Sequence, residues 1–153
     1  MFKHQKYSGN IFKRCLSLCI VSPSSVMLRK SLLDEVGGFD ESMPVCEDYD
    51  LWLRIAVRYP FKFLNDKLVI KRGGHKDQLS RKYWGMDRWR VYALEKLLNG
   101  DHLNPKQRKL VKEVLIEKSS ILIKGFEKRG KTEEAEVYRN LLATYCSNAG
   151  SIR

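Results

Sequence analysis

The sequence predicts an α/β chain that ends in an all-α extension, and three observations lead there. Short extended runs at Ser24–Arg29, Phe61–Leu64 and Leu68–Lys71 surround a helical stretch that opens at Glu47. These strand-sized runs stop at the loop Gly73-Gly74-His75. Beyond it the apolar residues recur at helical spacing. The expected division is 1–98 for the α/β part and 99–153 for a helical extension.

Taken in order, residues 1–14 are basic and broken by Ser8-Gly9-Asn10, which predicts a loop. Cys15–Val21 is apolar and suits either a helix or a strand. It falls far short of the ~20 residues of a membrane span and lacks a small-residue cleavage site, so it is not read as a signal peptide. Pro23 breaks it, and Ser24–Arg29 follows as a short strand. Ser31 and Asp34 stand in a capping-box-like arrangement. Gly37-Gly38 supplies a left-handed stop for the short helix between. Phe39 anchors the next turn, and Pro44 stiffens the approach to the acids. From Glu47 one apolar stripe holds Leu51, Trp52, Ile55, Ala56 and Tyr59, with Pro60 as its end.

Past the glycine loop, Met86, Trp89, Ala93, Leu94, Leu97 and Leu98 form a second stripe, ended by Asn99-Gly100. Asn104 and Pro105 read as N-cap and first-turn residues of a longer helix. Its stripe contains Leu110, Val111, Val114, Leu115, Ile121 and Leu122, with a stop near Gly130. Thr132 opens a last helix whose first turns hold Glu133, Glu134 and Glu136, where acids suit the helix dipole. These last two helices are expected to pack as an antiparallel pair across Gly130-Lys131.

The balance of 29 Lys+Arg against 18 Asp+Glu gives the chain a net charge of +11 and favours anionic partners. Nucleic acid, a phosphate-bearing substrate and an acidic membrane surface all satisfy that condition. Basic residues are interleaved with acids along the helices, and no nucleic-acid motif is present, so no nucleic-acid partner is expected. A basic helical module for nucleic acid or a partner protein stands as the rival reading. Cys15, Cys19, Cys46 and Cys146 make no C-x-x-C pair. They are read as reduced thiols in a cytosolic setting, with Cys15 and Cys19 on one helix face if that stretch is helical.

The acids Glu47, Asp48 and Asp50 divide by helical phase. Positions four, seven and eight beyond Asp48 are Trp52, Ile55 and Ala56, so Asp48 heads the buried stripe. Asp50 heads a row with Arg54 and Arg58, the pattern of a solvated charge ladder or salt bridge. A first-turn carboxylate is favoured in its ionised form by unpaired N–H groups and can accept a proton at neutral pH. The same three acids would also serve simply to cap a helix.

The string Gly37-Gly38-Phe39-Asp40-Glu41, followed by Glu47-Asp48-Tyr49-Asp50-Leu51-Trp52-Leu53-Arg54, resembles the inverting family 2 glycosyltransferases of the GT-A fold. The resemblance extends over about residues 8–98 and takes in the Ser24–Arg29 run and the segment Gly73–Arg81. It implies the C-terminal portion of a Rossmann-like nucleotide-diphospho-sugar transferase domain. Asp48 is then the general base, taking the proton of an acceptor hydroxyl as its oxygen attacks the anomeric carbon, and Glu47 orients the site. Ser24, Ser25, Trp52, His75, Gln78, Ser80 and Arg81 are implied substrate contacts. His75 is also the implied ligand of a divalent metal, Mg2+ or Mn2+, in the complete enzyme, while a plain surface histidine is the alternative. Asp48-Tyr49-Asp50 is literally a D-x-D, the family's metal pattern. Its place at the start of a helix, directly after Glu47, favours the base segment instead.

The implied partners are a nucleotide-sugar donor and a glycan or lipid-linked acceptor, in polysaccharide or lipid-linked glycan assembly. The implied place is the cytoplasm, including the inner face of the membrane with peripheral association. No βαβ pattern supplies a nucleotide-binding half. The chain is therefore expected to be a truncated or split form, inactive alone and dependent on a separate nucleotide-binding half.

Overall fold

A computed structural model describes residues 6–70, 83 and 85–147. The chain divides into two compact units, 1–84 and 85–153. Each is helical. In the first unit the helices are α1 (Phe12–Ser17), α2 (Lys30–Val36) and α3 (Glu47–Ala56). In the second they are α4 (Met86–Asn99), α5 (Pro105–Glu127) and α6 (Thr132–Ser147).

The expected α/β class is not observed, because no strand or sheet forms among the described residues. The single β pairing there is an antiparallel bridge, in which Gly9 and Phe61 exchange N–H···O bonds of 2.7 and 2.9 Å. Ser8 Oγ accepts a further bond from the Phe63 N–H at 2.9 Å. At the expected strand Ser24–Arg29, Pro23–Ser25 is one turn of 3-10 helix, and the chain becomes extended only at Val26. Val26 and Leu28 are half-buried while Met27 is 97% exposed, the period-two alternation of a strand. A sheet also needs a partner backbone for its N–H and C=O groups, and none among the described residues pairs with this run. Among the described residues Phe61–Leu64 forms only the Phe61 bridge and Leu68–Ile70 forms none, while Lys71 lies outside them.

α3 is the centre of the first unit. Leu51, Trp52 and Ile55 form a core on which Val21, Val26, Leu28, Leu32, Leu33, Val36 and Phe61 pack. The opposite side is covered as well: Tyr49 and Leu53 are buried, and the Tyr49 hydroxyl donates to the Leu16 carbonyl of α1 at 2.5 Å. Fully burying a Leu, Ile or aromatic side chain contributes about 1.5–3 kcal/mol. A helix covered on nearly all sides is therefore the main source of the unit's stability. The expected single stripe is real but forms only part of the buried surface.

The ends of α2 depart from expectation at one side only. α2 starts at Lys30 with Arg29 as N-cap and no side-chain cap, so Ser31 lies within the helix. Asp34, the expected partner in a capping box, takes an ion pair from Lys30 at 3.2 Å instead. The stop at Gly37 holds, with φ 77°, a backbone region that disfavours a side chain.

In the second unit α5 lies between α4 and α6 and packs on both. Asn104 caps α5 with a reciprocal box: its side chain accepts from Gln107 N at 2.9 Å, and Gln107 Oε1 accepts from Asn104 N at 3.0 Å. Val111, Leu115, Leu122 and Phe126 are buried, whereas the expected core residue Ile121 is 53% exposed. α5 and α6 form the anticipated hairpin, turned by Gly130 at φ 68°. Between α4 and α5, the buried Lys118 Nζ and Arg90 donate to Asp87 Oδ1 at 3.0 and 2.9 Å.

Candidate functional site

The acid segment is set by an unusual turn. Asp40 Oδ1 accepts from Ser42 N and Oγ at 3.0 and 2.6 Å, which folds the chain back after Phe39. Met43 and Val45 then plug into the core. Cys46, the N-cap of α3, adopts a left-handed conformation at φ 63°, ψ 15°. Such a residue carries about 1–3 kcal/mol of strain, which its burial within the unit sustains. The turn launches α3 so that Glu47, Asp48 and Asp50 all fall in its first turn.

The three acids then separate. Asp50 is buried, at 2% exposure, and its Oδ2 accepts from Arg54 Nε at 3.0 Å. Of the two expected outcomes for Asp50, the salt bridge with Arg54 forms, but buried rather than in a solvated ladder. Arg58 leaves that ladder altogether and pairs with Glu35 of α2 at 2.9 Å. Asp48 is half-buried and makes no ion pair among the described residues. Its Oδ1 accepts from the adjacent Tyr49 N–H at 2.7 Å, and its Oδ2 accepts from the Cys19 thiol at 3.4 Å. Glu47 is half-buried beside it.

Cys19 is the contact that the sequence reading missed. α1 ends at Ser17, so Cys19 lies past the helix rather than on a face shared with Cys15. The thiol sits against both Asp48 Oδ2 and the Val21 carbonyl, at 3.4 and 3.3 Å. Burial first, and then the Asp48 charge and hydrogen bond, push its pKa up to about 12, so it is held as a protonated donor. Burial alone raises Cys15 to about 11. No disulfide forms among the described residues, and Cys146 is exposed.

The other expected site residues are distributed unevenly. Ser24 and Ser25 are exposed in the 3-10 turn, where Ser25 Oγ donates to the Ser22 carbonyl at 3.1 Å. Trp52 is 3% exposed in the core, edge-on to Phe39 and Phe61 at centroid distances of 6.5 and 6.4 Å. Its Nε1 has no hydrogen-bond partner among the described residues. His75, Gln78, Ser80 and Arg81 lie outside the described residues.

A divalent metal does not fit what is described. No group of three or more His, Cys, Asp or Glu side chains is placed to hold one among the described residues. The two carboxylates of Asp48-Tyr49-Asp50 are engaged by different partners, Cys19 and Arg54, and do not form a joint ligand pair. No helix among the described residues is long and apolar enough to cross a membrane.

Gly37 and Gly38 offer their carbonyls to Arg54 at 3.1 and 2.7 Å, Phe39 packs on Trp52, and Asp40 makes the turn. The residues around Asp48 thus hold one another, and no cation among the described residues pairs with that carboxylate.

The chain belongs to the glycosyltransferase-like family 2, whose model matches residues 10–96. It is similar to an uncharacterized glycosyltransferase of Rickettsia felis, at 32% identity over 63 residues, which are 41% of this chain and 10% of that protein. A second uncharacterized glycosyltransferase, from Rickettsia conorii, is 33% identical over 63 residues, with the same shares covered. The matched segment thus spans about a tenth of the length of these relatives. No solved structure matches the chain. The family match ends at residue 96, and the compact units divide between residues 84 and 85.

Proposed function

We propose that this chain supplies the proton-accepting side of glycosyl transfer, with Asp48 as the general base. The observation that carries the proposal is the state of its carboxylate. It is half-buried at the head of α3, held by one neutral donor on each oxygen, and free of any ion pair among the described residues. An ionised carboxylate has about four acceptor sites on its two oxygens, so the donors from Tyr49 and Cys19 leave room for a substrate hydroxyl.

The reaction is transfer from a nucleotide-diphosphate sugar to an acceptor hydroxyl of a glycan or lipid-linked sugar. The acceptor oxygen attacks the anomeric carbon from the side opposite the leaving group. The bond from that carbon to the diphosphate oxygen breaks, the nucleoside diphosphate departs, and Asp48 takes the hydroxyl proton. The product has inverted configuration. The base must lie within about 2.6–3.2 Å of the hydroxyl it deprotonates. Glu47 is placed to orient the acceptor. The donor is held by residues other than the described ones, a reading supported by the length of the relatives, of which the matched 63 residues are only 10%. Neither Mg2+ nor Mn2+ enters any step assigned to these residues.

The test is a transfer assay on the protein in which this segment is joined to a nucleotide-sugar-binding part, with and without Asp48→Asn. Loss of turnover with retained folding is expected. Separately, residues 1–153 alone are expected to transfer no sugar, and measurable transfer by them would overturn the assignment of the donor site elsewhere.

A further inference from the structure

Asp48 and Cys19 come from positions 29 residues apart and meet in a partly buried contact. The thiol has two acceptors within reach, the carboxylate at 3.4 Å and the Val21 carbonyl at 3.3 Å, but only one proton to donate. Its other charged or titratable neighbour is the Cys15 thiol, which is also protonated. Nothing cationic competes for Asp48 among the described residues. The donor therefore has a choice set by the carboxylate. While Asp48 is ionised, a donor to a charged acceptor is the stronger bond. Once Asp48 is protonated, the neutral carbonyl of Val21 is the better remaining acceptor.

We infer that Cys19 is a positioning residue for Asp48, whose S–H holds Oδ2 of the ionised carboxylate and passes to the Val21 carbonyl when Asp48 takes up a proton. This rests on Asp48 being the base. Together with the Tyr49 N–H on Oδ1, the thiol fixes the rotation of the carboxylate before the substrate arrives. A thiol does this more weakly than an ammonium or guanidinium would. It steadies the carboxylate with a neutral donor and leaves the remaining lone pairs for a substrate hydroxyl.

The test is a site-resolved carboxyl 13C NMR titration of Asp48 in the chain, in Cys19→Ser and in Cys19→Ala. Loss of a donor to the ionised form raises a carboxyl midpoint. In Cys19→Ala the Asp48 midpoint is expected to lie above the parent value, while Cys19→Ser keeps it at or below the parent value. Coincident midpoints in all three proteins would overturn the inference. Where Cys19→Ala does not fold, the reciprocal measurement decides: the pH midpoint for alkylation of Cys19 should fall in Asp48→Asn, and an unchanged midpoint counts against the pair. Neither measurement reads sugar transfer. A coupled titration with full turnover of Asp48→Asn would remove the base and leave the pair; an uncoupled one with no turnover would do the reverse.

Discussion

Arg54 fastens the buried Asp50 to the end of α2. Its Nε and Nη2 reach Asp50 Oδ2 at 3.0 and 2.9 Å, while Nη1 donates to the Val36 and Gly37 carbonyls at 2.5 and 3.1 Å and Nη2 to the Gly38 carbonyl at 2.7 Å. One guanidinium thus neutralises a buried acid and satisfies carbonyls left open where α2 ends. Removing one partner of a buried pair costs about 3–5 kcal/mol, because the other charge is left uncompensated. Arg54→Ala should therefore destabilise the first unit by that order in urea unfolding. Arg54→Lys should recover only part of it, since an ammonium cannot reproduce the planar fork. A lysine variant as stable as the parent would refute the bidentate account.

Trp52 answers a different question. Its burial among Phe39, Phe61, Leu51 and Ile55 makes it a core residue in which the ring packs rather than a surface on which a sugar could stack. Trp52→Ala should lower stability by about 3–5 kcal/mol, the usual cost of emptying an aromatic core site. Unfolding midpoints measure this directly, and a stable, folded Trp52→Ala protein would return the residue to the surface.

Asp87 gives the second unit an acid sensitivity. Partial burial would raise its pKa, but the bonds from Arg90 and Lys118 outweigh that and hold it below the ordinary 3.8. A depressed native value means the contribution is full above the unfolded pKa and is lost as pH falls through the native one. Stability should be level from neutral pH to about 4 on this account and then decline. Asp87→Asn should remove that component of the decline while lowering stability at pH 7, which unfolding curves at stepped pH would read. A decline of equal size below pH 4 in Asp87→Asn would show that the acid sensitivity lies elsewhere.

The cap of α5 is a smaller and cleaner test. Asn104→Ala removes the acceptor for Gln107 N and should cost about 1 kcal/mol. Asn104→Asp should keep most of it. Equal stability of the alanine and parent proteins would mean that the box contributes nothing.

These residues also show what was legible in the sequence. Asn104-Pro105 and Gly37 were readable because caps and stops are local events, decided by one side chain or one backbone conformation. The stripe through Leu51, Trp52 and Ile55 was readable because helical spacing puts them together whatever they pack on. The second face of α3 was carried by Tyr49 and Leu53, four apart and both apolar enough for burial. It was obscured by Asp50 and Arg54, whose i+4 spacing suits a solvated ladder as well as a buried pair. The strands failed for another reason. Alternation at Val26, Met27 and Leu28 is present and correct, but pairing depends on another stretch of backbone that local pattern does not specify. The Cys19–Asp48 contact had no local sign at all, being a meeting across 29 positions.

Asp48→Asn is the most direct test of the account. The amide keeps the shape of the side chain and cannot accept the acceptor's proton, so turnover in the protein carrying this segment with its donor-binding part should fall by about 100- to 10,000-fold. The fold should be unchanged, since Asp48 makes no ion pair among the described residues. A well-folded Asp48→Asn protein that transfers sugar at the parent rate would contradict the assignment of Asp48 as the base.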